Sequence, residues 1–236
     1  MGASTIIGWT DKTWNPWRGC TKISPGCKHC YMFTEQRRYG KNPDAVVRTK
    51  TWGDPPKWQR RAVADGQQFM VFTCSWSDWF HVGADAWRDE AWAVIKACPN
   101  LTFQILTKRP ENIEERLPAD WGEGYPNVWL GVSIENDLYV DRADILRTIP
   151  ARRRFISAEP LLAPLPSLDL TGIHWLIVGG ESGGDGTYRP MDHAWARDLR
   201  IRAREAGVAF FFKQSSAPRT EMGIELDGEI VREWPI

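Results

Sequence analysis

The sequence predicts an α/β fold: a partial or near-complete parallel (β/α) barrel of six to seven strands. Six short apolar runs follow one another after residue 66, and most are separated by stretches with helical spacing. Alternating strands and helices indicate parallel βα units, which close into a barrel or open into a doubly wound sheet. The six runs and a short strand predicted near 13–16 favour the barrel. The 236 residues contain no internal repeat or linker, so we expect one domain over 1–236.

The predicted strands are apolar runs that end in polar residues, which is typical of buried strands in a parallel sheet. They are Phe69–Cys74, Leu101–Thr107, Val128–Ser133, Arg153–Ala158, His174–Gly179 and Ala209–Lys213.

Helices are predicted between these strands. Apolar residues at helical spacing indicate helices over 85–98 and 192–206. Pro110 suits the first position of a short helix ending near Leu117, and Asp137 suits the cap of one that ends near Thr148. The connection over 161–171 should lack a long helix. The segment 41–66 looks the least regular, and we interpret it as a lid or an excursion over the barrel mouth.

The composition is that of an ordinary globular protein, with 42% hydrophobic and 25% charged residues. No apolar run approaches the roughly 20 residues that a membrane helix requires. The first residues lack the charged and apolar regions of a signal peptide. We therefore expect a cytoplasmic protein with no membrane partner.

Charge is unevenly distributed along the chain. Residues 1–66 carry twelve Lys or Arg against five Asp or Glu, a net +7, and because the whole chain is neutral the remainder is −7. This irregular, basic segment is also rich in Cys and Trp. It suggests an anionic partner, with Lys57, Arg60 and Arg61 beside Trp52 and Trp58 as candidate nucleic-acid contacts. The alternatives to nucleic-acid binding are that the basic residues form a solvated face and that the Trp residues pack in the core.

Three of the five cysteines lie in the stretch WNPWRGCTKISPGCKHCY with the spacing C-x6-C-x2-C. An odd count and tight clustering argue against disulfides and for metal or redox chemistry. The C-x2-C pair, Cys27 and Cys30, is typical of a metal site. One interpretation is structural zinc, with His29 or a distant residue as fourth ligand. The other is an iron-sulfur cluster whose fourth iron stays open for a small molecule. We expect Cys74 and Cys98 to be buried core residues.

Polar side chains follow every predicted strand, and parallel strands bring such ends to one edge of the sheet. We expect a polar pocket there, although any one of these residues could simply cap a helix or lie in a solvated loop. The residues are Ser75, Ser77, Asp78, Lys108, Arg109, Ser133, Glu135, Asn136, Glu159, Glu181, Ser182, Lys213, Gln214 and Ser215.

A three-cysteine loop after the first strand of such a barrel resembles the radical S-adenosylmethionine (radical SAM) superfamily, whose usual spacing is C-x3-C-x2-C. Nearly the whole chain resembles a phage-associated family of uncharacterised proteins that is grouped as radical SAM-like. The segments that carry this resemblance are TWNPWRGC, SPGCKHCY, SWSDWF, LTKRP, GVSIEN, AEPLL, GGESG, RPM and FFFKQ. The first cysteine gap is six rather than three, and the Gly-Gly-Glu motif comes at 179–181 instead of after the second strand.

The resemblance implies a 4Fe-4S enzyme with cluster ligands Cys20, Cys27 and Cys30. SAM would bind the open iron and be cleaved to a 5′-deoxyadenosyl radical, with a flavodoxin- or ferredoxin-like electron donor. By strand order, the SAM methionine amine would meet Ser75, Ser77 and Asp78. The ribose would meet Ser133, Glu135 and Asn136, and the far side would be lined by Glu159 and Glu181.

The substrate is not identified by the sequence, and no catalytic residue is assigned. The basic segment suggests a nucleic acid or a nucleotide. A second interpretation is a non-catalytic nucleic-acid-binding module that contains zinc or a cluster. A plain βα-barrel hydrolase is the third, and it lacks a convincing nucleophile and base.

Overall fold

The computed structural model describes residues 5–235. Within that range, seven strands pair in chain order and every neighbouring pair is parallel. The sheet curls into a half-barrel, which confirms the predicted fold class. Two further strands, the second and third in the chain, form a small antiparallel pair. In order, the strands are β1 Lys12–Trp14, β2 Trp17–Arg18, β3 Val47–Arg48, β4 Phe69–Thr73, β5 Leu101–Thr107, β6 Val128–Ser133, β7 Arg153–Ala158, β8 Trp175–Gly179 and β9 Ala209–Gln214.

The helices lie in the connections between strands. Within the described range they are α1 Tyr31–Arg38, α2 Asp54–Asp65, α3 Asp85–Lys96, α4 Asp141–Thr148 and α5 His193–Glu205. None of these helices has both the length and the apolar character needed to cross a membrane. The helices predicted over 85–98 and 192–206 are present as α3, which ends two residues early, and α5, which is one residue shorter at each end.

Two of the short helices differ from the prediction. The segment from Pro110 to Leu117 forms two 3-10 turns, Pro110–Asn112 and Glu114–Arg116, because so short a segment gains too few hydrogen bonds to nucleate an α-helix. The helix predicted from Asp137 begins with a 3-10 turn, and α4 starts only at Asp141. Asn136 caps that turn by accepting a hydrogen bond from the N–H of Leu138 at 3.0 Å.

The expectation of an irregular segment over 41–66 is wrong for its second half, which is the twelve-residue helix α2. Two consecutive prolines suggest a break in the chain, but Pro55 and Pro56 fall in the first turn, where the missing N–H groups have no partner to lose. Trp58 and Ala62 then anchor the helix in the core. This second half of the segment is therefore a regular part of the fold.

Side chains of the sheet alternate between two faces, as the period of two requires. The convex face, with Val71, Phe103 and Leu130, belongs to the larger core that also contains the helices. The concave face carries a separate aromatic cluster that includes Phe155 and Trp175. Towards the carboxyl ends of the strands, the concave face changes from aromatic to polar.

The aromatic cluster fills the inside of the half-barrel near the amino ends of its strands. Trp9 packs into it, with ring centroids 4.6 Å from Phe72 and 6.0 Å from Trp175. Gly131 makes room for Phe155, since a Cβ at that glycine would lie 2.5 Å from the phenyl ring. A ligand inside the half-barrel must therefore lie towards the carboxyl ends.

The tryptophans of the basic segment are mostly core residues, so the stacking role suggested for them is wrong. Four of the five are no more than 8% exposed: Trp9, Trp14, Trp17 and Trp58. The fifth, Trp52, donates from Nε1 to the carbonyl of Pro16 at 3.1 Å, and the guanidinium of Arg48 covers its ring at 3.9 Å. These rings stabilise the fold and do not present a stacking surface.

Candidate functional site

A cavity of about 1250 Å³ opens at the carboxyl ends of the strands. Its wall is built by the ends of β4 to β9, by the loop between β2 and α1, and by the N-terminal segment. This is the position at which parallel βα folds bind ligands. The wall contains thiols, carboxylates, hydroxyls and cationic side chains, so it can bind a polar ligand in several orientations.

The three clustered cysteines all lie in the wall of this cavity. Cys20 follows Gly19, whose φ of +97° and close approach to Ala45 leave no room for a Cβ. Cys27 ends the 3-10 turn Pro25–Cys27, and Cys30 directly precedes α1. All three thiols are free of disulfides. The loop that holds them, residues 19–30, is called the cysteine loop below.

The pKa values of the three thiols differ because their surroundings differ. Burial raises the pKa of Cys20 to about 12, and Asp78 adds to this effect while Arg109 opposes it. Burial also raises the pKa of Cys30. Burial opposes ionisation of Cys27 too, but Lys108 and the backbone N–H groups of Ile23 and Ser24 outweigh it and lower the pKa. Cys27 is thus the thiol most ready to ionise.

A buried ion pair supports Cys20. Arg109 donates to the sulfur of Cys20 at 3.6 Å, to a carboxylate oxygen of Asp78 at 3.2 Å and to the carbonyl of Thr21 at 2.8 Å. The carboxylate of Asp78 also accepts from the hydroxyl of Thr107 at 2.7 Å and from the N–H groups of Phe80 and Lys108 at 2.9 and 3.0 Å. Every acceptor position of this carboxylate is used, so Asp78 acts on the cysteine loop through Arg109.

The two metal groups that the sequence suggested make different demands on the donor set. A zinc ion with four ligands at about 2.3 Å needs sulfur atoms about 3.8 Å apart. Among the described residues, no three His, Cys, Asp or Glu side chains lie close enough together to hold one metal ion. In an iron-sulfur cluster each thiolate binds a different iron atom, so the ligand sulfurs lie further apart. Three free thiols on one cavity wall are the donors that such a cluster would take.

Six of the eight predicted SAM contacts line the cavity: Ser75, Ser77, Asp78, Ser133, Glu159 and Glu181. The other two lie outside the cavity wall. Glu135 is fully buried behind the cysteine loop, and the side chain of Asn136 is used to cap a turn. Both residues lie beyond the end of β6 at Ser133, where the alternation of a strand no longer fixes the direction of a side chain.

The acidic and hydroxyl side chains of the wall differ in how much capacity they keep for a ligand. Ser77 donates to the carbonyl of Gly19 at 2.5 Å and so holds the cysteine loop. Glu181 accepts three bonds from Arg189: the N–H at 2.8 Å and Nε at 2.9 Å reach one carboxylate oxygen, and Nη2 reaches the other. Glu159 pairs with Lys213 through one oxygen only.

Two hydroxyls on neighbouring strands remain available to a ligand. Within the part of the chain that is described, the side chains of Ser133 and Ser157 make no hydrogen bond, and both line the cavity. The two residues are register partners on β6 and β7. Ser157 was not predicted, although its place near the end of a strand could have indicated it.

Tyr31, which was not predicted either, lies in the cavity wall and donates from its hydroxyl to the carbonyl of Ser75. It follows the last cysteine of the motif directly. Tyr31 is the first residue of α1, and a search for polar residues at strand ends does not find a side chain that a helix contributes.

The three cations of α2 that were predicted as nucleic-acid contacts do not reach the cavity. Lys57, Arg60 and Arg61 are exposed on α2, which leads into the amino end of β4 at the opposite end of the sheet. By contrast, Lys28 and Arg219 line the cavity and are exposed, and their side chains make no ion pair or hydrogen bond within residues 5–235. Any anionic ligand of the cavity would meet these two side chains first.

The model of the family described as "Protein of unknown function (DUF5131)" matches residues 4–235, and the chain belongs to that family. No curated protein matches the chain significantly. A mutant of spore photoproduct lyase has a similar structure, with a TM-score of 0.51 and 13% identity over 86% of this chain and 74% of that one. The likeness shows that the two proteins share a fold.

Two further structures of the same lyase align less well, both at 14% identity. A double mutant with bound AdoMet and dinucleoside spore photoproduct gives a TM-score of 0.45 over 81% of this chain and 60% of that chain. The lyase complexed with dinucleoside spore photoproduct gives 0.43 over 80% and 59%.

The charge of Lys108 should control the reactivity of Cys27. In metal-free, reduced protein we expect the alkylation of Cys27 to rise with pH around a midpoint below that of an ordinary thiol, because the thiolate is the reactive form. Lys108→Gln should move this midpoint to higher pH. Mass spectrometry of peptides after timed iodoacetamide treatment measures it. Lys28→Gln removes a neighbouring exposed charge as a control, and an equal shift in both variants would contradict the assignment.

Proposed function

We propose that this chain is a radical SAM enzyme in which Cys20, Cys27 and Cys30 bind a 4Fe-4S cluster and the adjoining cavity binds SAM. The observation that carries the proposal is the convergence of three free thiols on the wall of one cavity, at the carboxyl ends of a parallel half-barrel. Support comes from the shared fold with spore photoproduct lyase, which is a radical SAM enzyme.

The surroundings of the thiols suit this role. Lys108 and Arg109 bring two positive charges to thiols that must ionise in order to bind iron. The aromatic cluster beneath the cavity excludes water from one side, which protects a reactive intermediate. A cluster held by Cys20, Cys27 and Cys30 would supply the electron for reductive cleavage of SAM, and the resulting 5′-deoxyadenosyl radical would take hydrogen from a substrate. We expect a flavodoxin- or ferredoxin-like electron donor.

The SAM contacts that we propose are the six wall residues, and they divide by chemistry. Ser75, Ser77 and Asp78 shape the wall beside the cysteine loop. Ser133 and Glu159 keep free hydrogen-bonding capacity, a hydroxyl and a carboxylate oxygen, and could pair with the hydroxyls or the ammonium group of SAM. Glu181 lines the far side but is held by Arg189.

Anaerobic reconstitution with iron and sulfide tests the proposal directly. We expect about four iron and four sulfide atoms per chain, as in other proteins with one such cluster. Replacing Cys20, Cys27 or Cys30 with Ala should abolish the cluster, because each thiolate anchors one iron. Cys98→Ala is the control. It removes a buried thiol that is distant in sequence from the cysteine loop, and it should leave the cluster intact. Protein that holds one zinc ion and no sulfide would refute the proposal.

The affinity of the reconstituted protein for SAM tests whether the residues of the cavity wall contact SAM and whether those outside the wall do not. We expect Glu159→Gln to weaken binding about tenfold and Ser133→Ala about threefold, since hydrogen bonds to a charged group are the stronger ones. Asn136→Ala should have little effect, because its side chain caps a turn outside the cavity. Anaerobic calorimetry measures all three. Normal affinity in both wall variants would remove them from the site.

We propose a nucleotide or nucleic-acid substrate on the strength of the cationic mouth formed by Lys28 and Arg219. Labelled single-stranded oligonucleotides should bind, with a log-log salt slope of about −0.7 per phosphate neutralised. A Lys28→Glu, Arg219→Glu double change should abolish binding. Arg60→Glu, Arg61→Glu on α2 is the control and should not. Fluorescence polarisation at several salt concentrations decides this, and the reverse pattern, or no binding at low salt, would exclude the cavity as the nucleic-acid site.

A further inference from the structure

Glu135 is a buried carboxylate that the proposed function does not use. It follows β6, its exposed fraction is 0%, and it is absent from the cavity wall. A buried carboxylate is unfavourable unless it is paired and hydrogen-bonded. Its partners therefore indicate what holds it there.

The first set of partners belongs to the cysteine loop. Ser24 donates a hydrogen bond from its hydroxyl to Oε1 of Glu135, and the same hydroxyl oxygen lies 3.6 Å from the sulfur of Cys27. Gly26 lies directly against the carboxylate, since a Cβ there would be 2.4 Å from Cγ of Glu135. The loop is thus packed on Glu135 through Ser24 and Gly26, which both lie close to the buried Cys27.

The second set of partners is cationic. Lys108 places Nζ 3.7 Å from Oε1 of Glu135, and its charge also acts on the thiols of Cys27 and Cys30. Arg142 donates to Oε2 at 2.8 Å and to the carbonyl of Ser133 at 2.7 Å, which fixes the carboxylate to the end of β6. One carboxylate therefore connects the sheet, the cation beside the thiols, and the loop itself.

We propose that Glu135 is a positioning residue that holds the cysteine loop in its ligand-presenting conformation, through Ser24 and Gly26 on one side and Lys108 on the other. The inference rests on the proposed function in so far as the loop is taken to bind the cluster. Glu135 then acts on the cluster ligands without touching SAM, which is a different role from the ribose contact that the sequence suggested.

Three variants probe this contact. Ser24→Ala deletes the bond between loop and carboxylate and leaves the pair of Glu135 with Arg142 intact. Glu135→Gln keeps the size of the side chain and removes its charge. Gly26→Ala forces a methyl group against Glu135. The matched controls are Thr34→Ala, an exposed hydroxyl in α1, and Gly184→Ala, where a Cβ meets open space.

Two readouts are taken on the full chain. Hydrogen exchange of peptides covering 20–30 in the metal-free protein reports how firmly the loop is held. The rate at which reconstituted protein loses iron to a chelator under anaerobic conditions reports how firmly the ligands are presented. We expect Ser24→Ala to accelerate loop exchange and iron release about tenfold, as the loss of a charge-assisted hydrogen bond should. We expect Gly26→Ala to accelerate both processes to a similar extent, because its methyl group is forced against Glu135. Glu135→Gln should act in the same direction, and both controls should match the wild type.

The outcomes separate this inference from the proposed function. If the wild type binds no cluster but loop exchange accelerates in the three variants, the positioning role stands and the radical SAM proposal falls. If the cluster forms and all three variants exchange and release iron at the wild-type rate, the positioning role of Glu135 is wrong and the radical SAM proposal stands.

Discussion

Parallel pairing of all seven sheet strands is the constraint on which the site depends. When every strand runs in the same direction, every loop that follows a strand emerges at the same edge. Residues as distant in sequence as Cys20, Ser133 and Lys213 therefore line one cavity. The aromatic cluster around Trp9 and Trp175 closes the inside of the half-barrel at the other end.

Charge compensation is the second requirement of this cavity. Three thiols at a partly buried site ionise only if cations and N–H groups are directed at them. Consecutive residues after β5 supply both cations. Arg109 reaches Cys20 and is fixed by Asp78, whereas Lys108 influences Cys27 and is balanced by Glu135. Each cation is paired with a different buried carboxylate, and this pairing holds it beside the thiols.

The cysteine loop is attached to the sheet at several separate points, and this explains why a loop with little regular structure keeps a defined form. Ser77 holds the carbonyl of Gly19, Arg109 holds the carbonyl of Thr21, and Glu135 holds Ser24. On the β8 side of the sheet, Arg189 donates to the carbonyl of Pro25 at 3.0 Å, while its other bonds go to Glu181. The two sides of the half-barrel are thus linked through the loop.

The strands of the parallel sheet could be predicted from the sequence alone, because buried parallel strands are short apolar runs that end at polar residues, whereas the short pair β2 and β3 was not predicted. The run Leu101–Thr107 was predicted with the bounds that it has in the structure. The cysteine loop was also visible in the sequence, because three thiols within eleven residues are a tight cluster along the chain. Local pattern could not show which way a side chain points just beyond a strand or which buried partner it meets. Only the tertiary structure decided that Glu135 lies behind the loop while Glu159 lines the cavity, and that the cations of α2 are at the far end of the sheet.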